Sequence, residues 1–390
     1  MPLFALLTLS LMISFPSVNA VLFTPGLPAI AQSFHITNGV AQYTISWFLI
    51  GYALGQLIYG PLANRFGRKP ALYAGICLQI MGSLICAYSS TIHLFPVLIF
   101  GRFLLALGSG VGLKMTFTMV NELYEPQQAS RLLSYLIIAF AIMPGLSVAL
   151  GGILITHFDW SSTFYACALY GIFLLVLVTR LTETKTQLDL NAFKISYLIK
   201  GYTTQFKNVG LIIGGLIIGG ATCCLYAFST LAPFIAIQKL QMPAIDYGLA
   251  SLLPALGLLI GSLFSASLIK TFSSSRIIYL GIFISLVGGV AMLLLTHLKI
   301  SAVYSIFLPA MFSYSGLSLV FANTSGVAMQ YATDKANASA VMNFINIGFA
   351  MVVMLVVGKL DIEIYLLPIL FLSICGLMAF LMRYLIQPDI

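Results

Sequence analysis

Charged residues are scarce in this chain. They make up 7% of its 390 residues, against about a quarter in a typical soluble domain. A surface with so few charges cannot face water over most of its area, which excludes an ordinary soluble protein. Hydrophobic residues make up 60% of the sequence, and the mean hydropathy is +1.05. Most of the surface is therefore expected to face lipid.

Alternation of apolar and polar residues, the pattern of a membrane-spanning barrel, is also missing from the long apolar runs. Inside lipid the backbone must satisfy its own hydrogen bonds, so these runs are expected to be helices, each of about 20 residues. We therefore predict an all-α integral membrane protein. Its twelve predicted transmembrane helices lie near residues 3–30, 41–62, 71–90, 94–120, 131–156, 161–181, 207–236, 246–269, 276–297, 301–328, 337–358 and 363–386.

One polar stretch interrupts this series near its middle. Residues 182–206 carry Glu183, Lys185, Asp189, Lys194 and Lys200. We interpret this stretch as a cytoplasmic linker. It would join an N-terminal six-helix bundle at 1–181 to a C-terminal six-helix bundle at 207–390.

Basic residues distinguish the two sides of the membrane. Short loops rich in Lys and Arg stay in the cytoplasm. With a cytoplasmic N-terminus, the outer loops hold only Lys239, Lys299 and Lys359. We therefore predict both termini in the cytoplasm of a bacterial-type inner membrane. The cations assigned to the cytoplasmic side are Arg65, Arg68, Lys69, Arg131, Arg180, Lys185, Lys194, Lys200, Lys207, Lys270, Arg276, Lys335 and Arg383.

Signals for several other functions are missing. The net charge of +8 does not indicate nucleic acid, because the basic residues form no clustered stripe. No Walker-type loop, HExxH motif, paired carboxylates or nucleophile–base grouping lies in the helices, which argues against direct use of ATP and against a membrane-embedded enzyme. A receptor without transport stays formally open. The cysteines are interpreted as core residues, and no metal or cofactor is expected, because they lack metal-ligand spacing with histidine. They are Cys77, Cys86, Cys167, Cys223, Cys224 and Cys375.

The most specific motif lies between helices two and three, in residues 60–70 (GPLANRFGRKP). Gly60 permits close helix approach, Gly67 permits a tight turn, and the basic residues Arg65, Arg68 and Lys69 anchor the loop at the cytoplasmic face. A generic positively charged inside loop is the alternative reading.

This loop resembles the signature G-x-L-a-D-r-x-G-r-k of the major facilitator superfamily. Other segments extend the resemblance toward the Bcr/CflA branch of its drug/H+ antiporters. The resemblance implies two pseudosymmetric bundles that rock around a central site, which is alternating access. The further matching segments are 22–31, Gly101-Arg102-Phe103 with Gly108, Glu122-Leu123-Tyr124 followed by Arg131, Pro144 with Gly151-Gly152 and Trp160, and Ala338-Ser339-Ala340 with Asn343-Phe344.

Three departures from the family pattern bear on mechanism. The signature acid of the loop is Asn64 here. The Gly-Pro that usually precedes the final glycines of the helix-five motif is replaced by Ser147-Val148. The acidic residue that the branch often carries in helix one falls on Val21, with Asn19 as the nearest polar residue. The last departure weakens the case for proton coupling.

Two cations, Arg102 and Lys114, are predicted inside helix four. A charge at mid-membrane costs about 2.5–3.5 kcal/mol or more and usually marks a functional site. Arg102 is expected either to brace helices through backbone carbonyls or to act in gating or substrate binding. Lys114 is expected either to extend toward the inner interface or to contact substrate.

Polar residues in apolar helices complete the candidate cavity, although each alone is more typical of a hydrogen bond between helices. Asp334, just before helix eleven, is expected to contact Arg68 in one conformational state. The cavity candidates beside the two cations are Asn19, Gln56, Tyr226, Asn323, Asn343 and Asn346.

These features predict a secondary transporter. All ten acidic residues lie in loops or at helix ends, so a cavity with cations and no carboxylate is expected to favour anionic or zwitterionic solutes. Export of a small organic molecule is the first hypothesis, with protons left open as the coupling ion. A metabolite facilitator or importer without proton coupling is the alternative. The expected functional unit is a monomer in the lipid bilayer.

Overall fold

The computed structural model describes residues 3–185, 188–189, 203–330 and 335–386. Within these ranges the regular structure is helical, and twelve segments are long and apolar enough to cross a membrane. The predicted all-α fold and number of spans are therefore confirmed. The main helices are α1 Leu3–Val21, α2 Tyr43–Phe66, α3 Arg68–Ile92, α4 Phe95–Leu123, α5 Pro126–His157, α6 Ser162–Thr179, α7 Val209–Pro233, α8 Leu252–Leu268, α9 Ser274–His297, α10 Leu308–Met329, α11 Lys335–Val357 and α12 Leu366–Ile386.

The first span is less regular than the sequence predicted. Helix α1 ends at Val21, a 3₁₀ turn follows at Thr24–Gly26, and a short helix at Leu27–Ser33 completes the crossing. Pro25 and Pro28 lack a backbone N–H and sit where these two short elements begin. The single helix expected at 3–30 is therefore broken near its outer end.

Three later spans also change geometry near the predicted outer face. Helix α7 continues as a π-helix at Phe234–Lys239, and a π-helix at Val303–Phe307 precedes α10. The eighth span begins with a separate short helix at Ala244–Ala250. π-Helical turns such as those at Phe234–Lys239 and Val303–Phe307 occur mostly as interruptions of α-helices, often at functional sites.

Small residues bring the central helices close together. A Cβ at Gly82 on α3 would lie 2.7 Å from Leu105 Cα on α4. A Cβ at Gly101 on α4 would lie 2.8 Å from Cys86 N on α3. The two backbones thus approach more closely than any larger side chain would allow, as is common where transmembrane helices pack.

The first six and last six helices meet near the predicted outer face. The side-chain amide of Asn38 donates a 2.8 Å hydrogen bond to the side chain of Gln238. A Cβ at Gly39, before α2, would overlap the carbonyl oxygen of Gly358, which follows α11. Gly152 on α5 approaches the short helix before α8, where a Cβ would lie 2.6 Å from the carbonyl oxygen of Ala244.

The buried apolar clusters follow the same division. One cluster joins both sets of helices and includes Phe48 and Tyr52 on α2 together with Phe228 on α7. Further along α2, toward the predicted cytoplasmic face, Tyr59 and Ala63 belong to a second cluster, built from the first six helices. The first six helices therefore share a core with the last six mainly on the outer side. The boundaries predicted for the two bundles and for the linker stay a prediction.

Candidate substrate site and signature loop

Arg102 lies in the packed interior, with none of its surface exposed. Its Nη1 donates to the carbonyl of Asn19 at 2.8 Å, Nη2 to Ala20 at 3.3 Å and Nε to Thr44 at 3.1 Å. The guanidinium carbon also lies 4.1 Å from the ring centre of Phe23. Attraction to the ring face and charge-assisted hydrogen bonds stabilise the buried cation here. In this conformation Arg102 braces α1 and α2 and faces no open space.

Asn19 lies in a buried polar network beside Arg102. Its side-chain oxygen accepts a 2.6 Å hydrogen bond from Nε2 of Gln79 on α3. The same Gln79 nitrogen lies 3.0 Å from both Ser83 Oγ and the carbonyl oxygen of Cys167 on α6. The network therefore ties α1, α3 and α6 together. Gln79 was absent from the candidate residues, although a lone glutamine in an apolar run was a signal that could have identified it.

Lys114 turns toward α2 instead of extending along its own helix. Its Nζ donates a 2.7 Å hydrogen bond to the carbonyl oxygen of Gln56. A Cβ at Gly60 would lie 2.8 Å from the same Nζ, so the missing side chain leaves room for the ammonium group. Lys114 is half-buried, whereas Gln56 is buried. Three candidate residues, Gln56, Gly60 and Lys114, are thus brought together.

The remaining cavity candidates are on the last six helices. Asn323 donates to Ser265 Oγ and to the carbonyl of Leu319, each at 2.8 Å, so its amide nitrogen links α10 to α8. The side-chain oxygens of Asn323 and Asn346 are buried and have no hydrogen-bond partner among the described residues. Tyr226 and Asn343 are half-buried. Within the described part of the chain, no hydrogen bond joins any of these four residues to Lys114, and Tyr226 lies near Arg102 instead.

The signature loop is organised around Arg68, which is 5% exposed. Its guanidinium forms an ion pair with Glu122 in the last turn of α4, with Nε at 3.2 Å from Oε2. It also donates to the carbonyl of Ala63 at 2.8 Å and to the side-chain oxygen of Asn64 at 3.0 Å. Asn64 thus keeps an acceptor where the family signature has an acid, and Glu122 supplies the carboxylate.

Residues that follow α6, from Glu183 to Asp189, include three that bind the same loop. The Glu183 carboxylate accepts from the backbone N–H groups of Arg68 and Lys69, each at 2.9 Å, at the first turn of α3. Burial acts to raise the pKa of Glu183, but hydrogen bonds from backbone N–H groups outweigh it, and the pKa lies below its ordinary value. Thr184 donates to Glu122, and the N–H of Asp189 donates to the carbonyl of Asn64. Glu183, Thr184 and Asp189 are therefore docked on the loop.

The other loop candidates have structural contacts. Gly67 has a φ of +107°, a conformation that favours glycine, and a Cβ there would lie 2.8 Å from Glu183 Oε2. Lys69 donates to the carbonyl of Thr179 at 2.9 Å, and Arg65 is half-buried in the last turn of α2. Asp334 lies outside the described residues, so its contact with Arg68 stays a prediction.

The helix-five candidates lie where α5 approaches other spans. Pro144 is inside α5 and is half-buried. A Cβ at Gly151 would overlap the carbonyl oxygen of Leu22, just beyond α1. Gly152 faces the short helix that contains Ala244. These two glycines therefore let α5 contact the first span on one side and the eighth span on the other.

Comparison with known proteins agrees with this architecture. The sequence profile of the Major Facilitator Superfamily matches residues 6–357, and the chain belongs to this family of transporters. Multidrug resistance protein D of Escherichia coli K12 is 24% identical over 329 residues, which is 83% of this chain and 80% of the relative. A bicyclomycin resistance protein homolog of Haemophilus influenzae is 21% identical, covering 74% of this chain and 72% of its own. The resemblance to the Bcr/CflA drug-exporter branch is thereby confirmed.

A solved structure shows the same fold at low sequence identity. The D-xylose-proton symporter is 14% identical, with a TM-score of 0.80 over 98% of this chain and 97% of its own. The protein is thus a multi-pass membrane transporter, with twelve helices long and apolar enough to span the membrane in the part of the chain that the structure describes.

Proposed function

We propose that this transporter exports a small organic anion or zwitterion across a bacterial inner membrane by alternating access, with both termini in the cytoplasm. Membership of a transporter family, and relatives named for drug resistance, support export of an organic solute and a role without catalysis. The distribution of Lys and Arg over the loops supports the orientation.

One observation carries the choice of substrate class. The two cations inside α4, Arg102 and Lys114, hydrogen-bond to backbone carbonyls. The ion pair formed by the described residues lies elsewhere, between Arg68 and Glu122 at the end of α4. A membrane interior with cations and no carboxylate partner attracts anionic groups and repels cationic drugs.

Packing supports an inward-facing arrangement of the helices. The outer ends are joined by the Asn38–Gln238 hydrogen bond and by the approach of Gly39 to Gly358. The cytoplasmic half of the first six helices has its own core. Transport would therefore require the outer contacts to open while the cytoplasmic halves close.

Transport in proteoliposomes tests this proposal. The purified protein is reconstituted and offered fluorescein as an organic anion or ethidium as an organic cation, with and without an imposed pH gradient. We expect fluorescein to move and ethidium not to move. Transport of ethidium alone would contradict the proposed substrate class.

The alternative is a facilitator or importer without proton coupling. It is favoured by Val21, which stands where the branch often has the helix-one carboxylate. Fluorescein flux that is the same with and without the pH gradient would support it. Accumulation of dye against its own gradient, dependent on pH, would support proton-driven export.

A further inference from the structure

We propose that Lys114 is the residue that binds the anionic group of the substrate, and that Arg102 only positions helices. This assignment rests on the proposed function and names the part of the site that recognises a carboxylate-type anion. Lys114 and Arg102 lie on the same helix, but their surroundings differ in the ways that separate a binding group from a structural one.

Arg102 is enclosed and not short of donors, since two of the five N–H bonds of its guanidinium are unused among the described residues. Each of its three nitrogens donates to a backbone carbonyl, and it has no exposed surface. The rings of Phe23 and Phe48 lie 4.1 and 4.6 Å from its guanidinium carbon. A substrate could reach this cation only if the packing that encloses it came apart.

Lys114 keeps unused donors. An ammonium group carries three N–H bonds, and the structure shows one hydrogen bond, to the carbonyl oxygen of Gln56. Half-burial leaves the side chain partly accessible. In the same turn of α2, the side-chain nitrogen of Gln56 is buried beside the Tyr52 hydroxyl, but it forms no hydrogen bond of normal geometry among the described residues. A buried N–H group without a well-formed hydrogen bond is costly in a membrane protein, unless a ligand supplies the acceptor.

The ammonium group of Lys114 lies on the interior side of α2. At 3.6 residues per turn, Gly60 and Gln56 lie on the side of α2 away from the exposed residues Trp47, Leu54 and Ile58. The ammonium group therefore faces the protein interior and not the lipid. Gly60 provides the space beside it, since any Cβ there would lie 2.8 Å from Nζ.

Its depth is also suitable. Along α2, Tyr52 and Ala53 belong to the core shared by both sets of helices. Tyr59 and Ala63 belong to the core of the first six helices. The Lys114 contact with Gln56 lies between the level whose core both sets of helices share and the level whose core the first six helices build alone. A carboxylate entering from the cytoplasm would meet the unused N–H groups of Lys114 at this point.

Binding of fluorescein to the full-length protein in detergent tests the assignment. Fluorescence anisotropy measures its affinity for the wild type and for Lys114→Gln, Lys114→Met and Lys114→Arg. We expect the Gln and Met variants to lose about tenfold or more in affinity, because a hydrogen bond to a charged group is removed. The Arg variant is expected to keep most of the affinity. Lys299→Gln, which removes an exposed lysine at the opposite face, is the matched control and should bind as the wild type does.

The other possible results of the binding experiment each decide whether the Lys114 assignment stands. Equal affinity in Lys114→Gln and the wild type would overturn the assignment, as would a wild type that binds no fluorescein. Two substitutions that both remove the charge guard against a single variant that fails to fold, and a monodisperse elution profile checks each one. If proteoliposomes of the wild type show no dye transport while binding still depends on Lys114, the proposed export function fails and the anion site stands.

Discussion

The carboxylate of Glu183 closes the first turn of α3 by accepting hydrogen bonds from the backbone N–H groups of Arg68 and Lys69, each at 2.9 Å. The first N–H groups of a helix have no partner within it, and an anion there is favoured by the helix dipole. Glu183 thus contributes to the signature loop, because it supplies the acceptor that the first turn of α3 lacks. Movement of the loop during transport would have to carry Glu183 with it or break these bonds.

Glu183→Gln is expected to weaken this contact by about 0.5–1 kcal/mol, as loss of a charged helix cap does at an exposed site. The pKa of Glu183 is lowered from its ordinary 4.5 in the folded protein. Its stabilisation is therefore present above pH 4.5 and is lost as pH falls through the lowered pKa. Thermal unfolding in detergent at pH values from 7 down to about 3, through the window in which the loss is expected, measures the difference. Glu363→Gln is the control at the opposite face, and an equal loss in both variants would contradict the capping role.

Arg102→Lys is expected to destabilise the protein by about 2 kcal/mol or more. A lysine has one nitrogen and cannot reach the carbonyls of Asn19, Ala20 and Thr44 together, so buried acceptors lose charge-assisted hydrogen bonds. Thermal unfolding in detergent checks this, with the exposed Arg383→Lys as the matched control. If the Lys variant is as stable as the wild type, Arg102 does not brace these helices.

Gly39→Val is expected to keep the outer ends of α2 and α11 apart. Any Cβ at Gly39 would overlap the carbonyl oxygen of Gly358, so a valine cannot be accommodated in the closed arrangement. The measurement is the distance between spin labels at the exposed positions Gln32 and Lys359, each replaced by cysteine in a Cys77→Ser background. We expect a longer distance in the Val variant.

The control for this experiment is Val40→Ala. It changes the residue next to Gly39 but makes its side chain smaller, so it adds no atoms between α2 and α11. Unchanged distances in Gly39→Val would show that the approach to Gly358 does not hold the outer face closed. A shift to longer distances in the control would likewise argue against a specific role for Gly39.

Gln79→Leu is expected to destabilise the protein by about 0.6–1.7 kcal/mol, the range for hydrogen bonds between membrane helices. Leucine has a similar size but leaves the side-chain oxygen of Asn19 and the carbonyl oxygen of Cys167 without the Gln79 donor. Gln128→Leu on the exposed start of α5 is the control. Thermal unfolding in detergent is the measurement, and a stable Gln79→Leu would show that the network contributes little.

The spans, their number and the chemistry of the signature loop were predictable because they depend on local sequence. A run of apolar residues has to cross lipid as a helix wherever it packs. The position of Gly67 before α3 likewise follows from the need for a positive φ at the turn. The break in the first span was missed, since the run around Pro25 and Pro28 is as apolar as the helices beside it.

The candidate site was less predictable, because the sequence does not indicate which residue a polar side chain in an apolar helix will bond to. Asn19, proposed for the cavity, bonds to Gln79 inside the first six helices. Arg102 and Lys114 look alike in sequence, yet Arg102 is fully enclosed by carbonyls and rings and Lys114 is partly exposed. The difference in exposure arises from the direction in which α4 points each side chain, and from Gly60 on α2, which leaves room for the Lys114 ammonium group.

The amino-acid sequence by itself determined the medium, the number of crossings and the expected orientation, because hydrophobic length and loop charge act on each segment separately. Only the tertiary structure decided which cation is braced, which is available to a ligand, and that Glu183 caps α3. Those outcomes depend on which side chains lie within hydrogen-bond distance across helices that are far apart in the chain. Local sequence patterns do not determine the distances between residues on different helices.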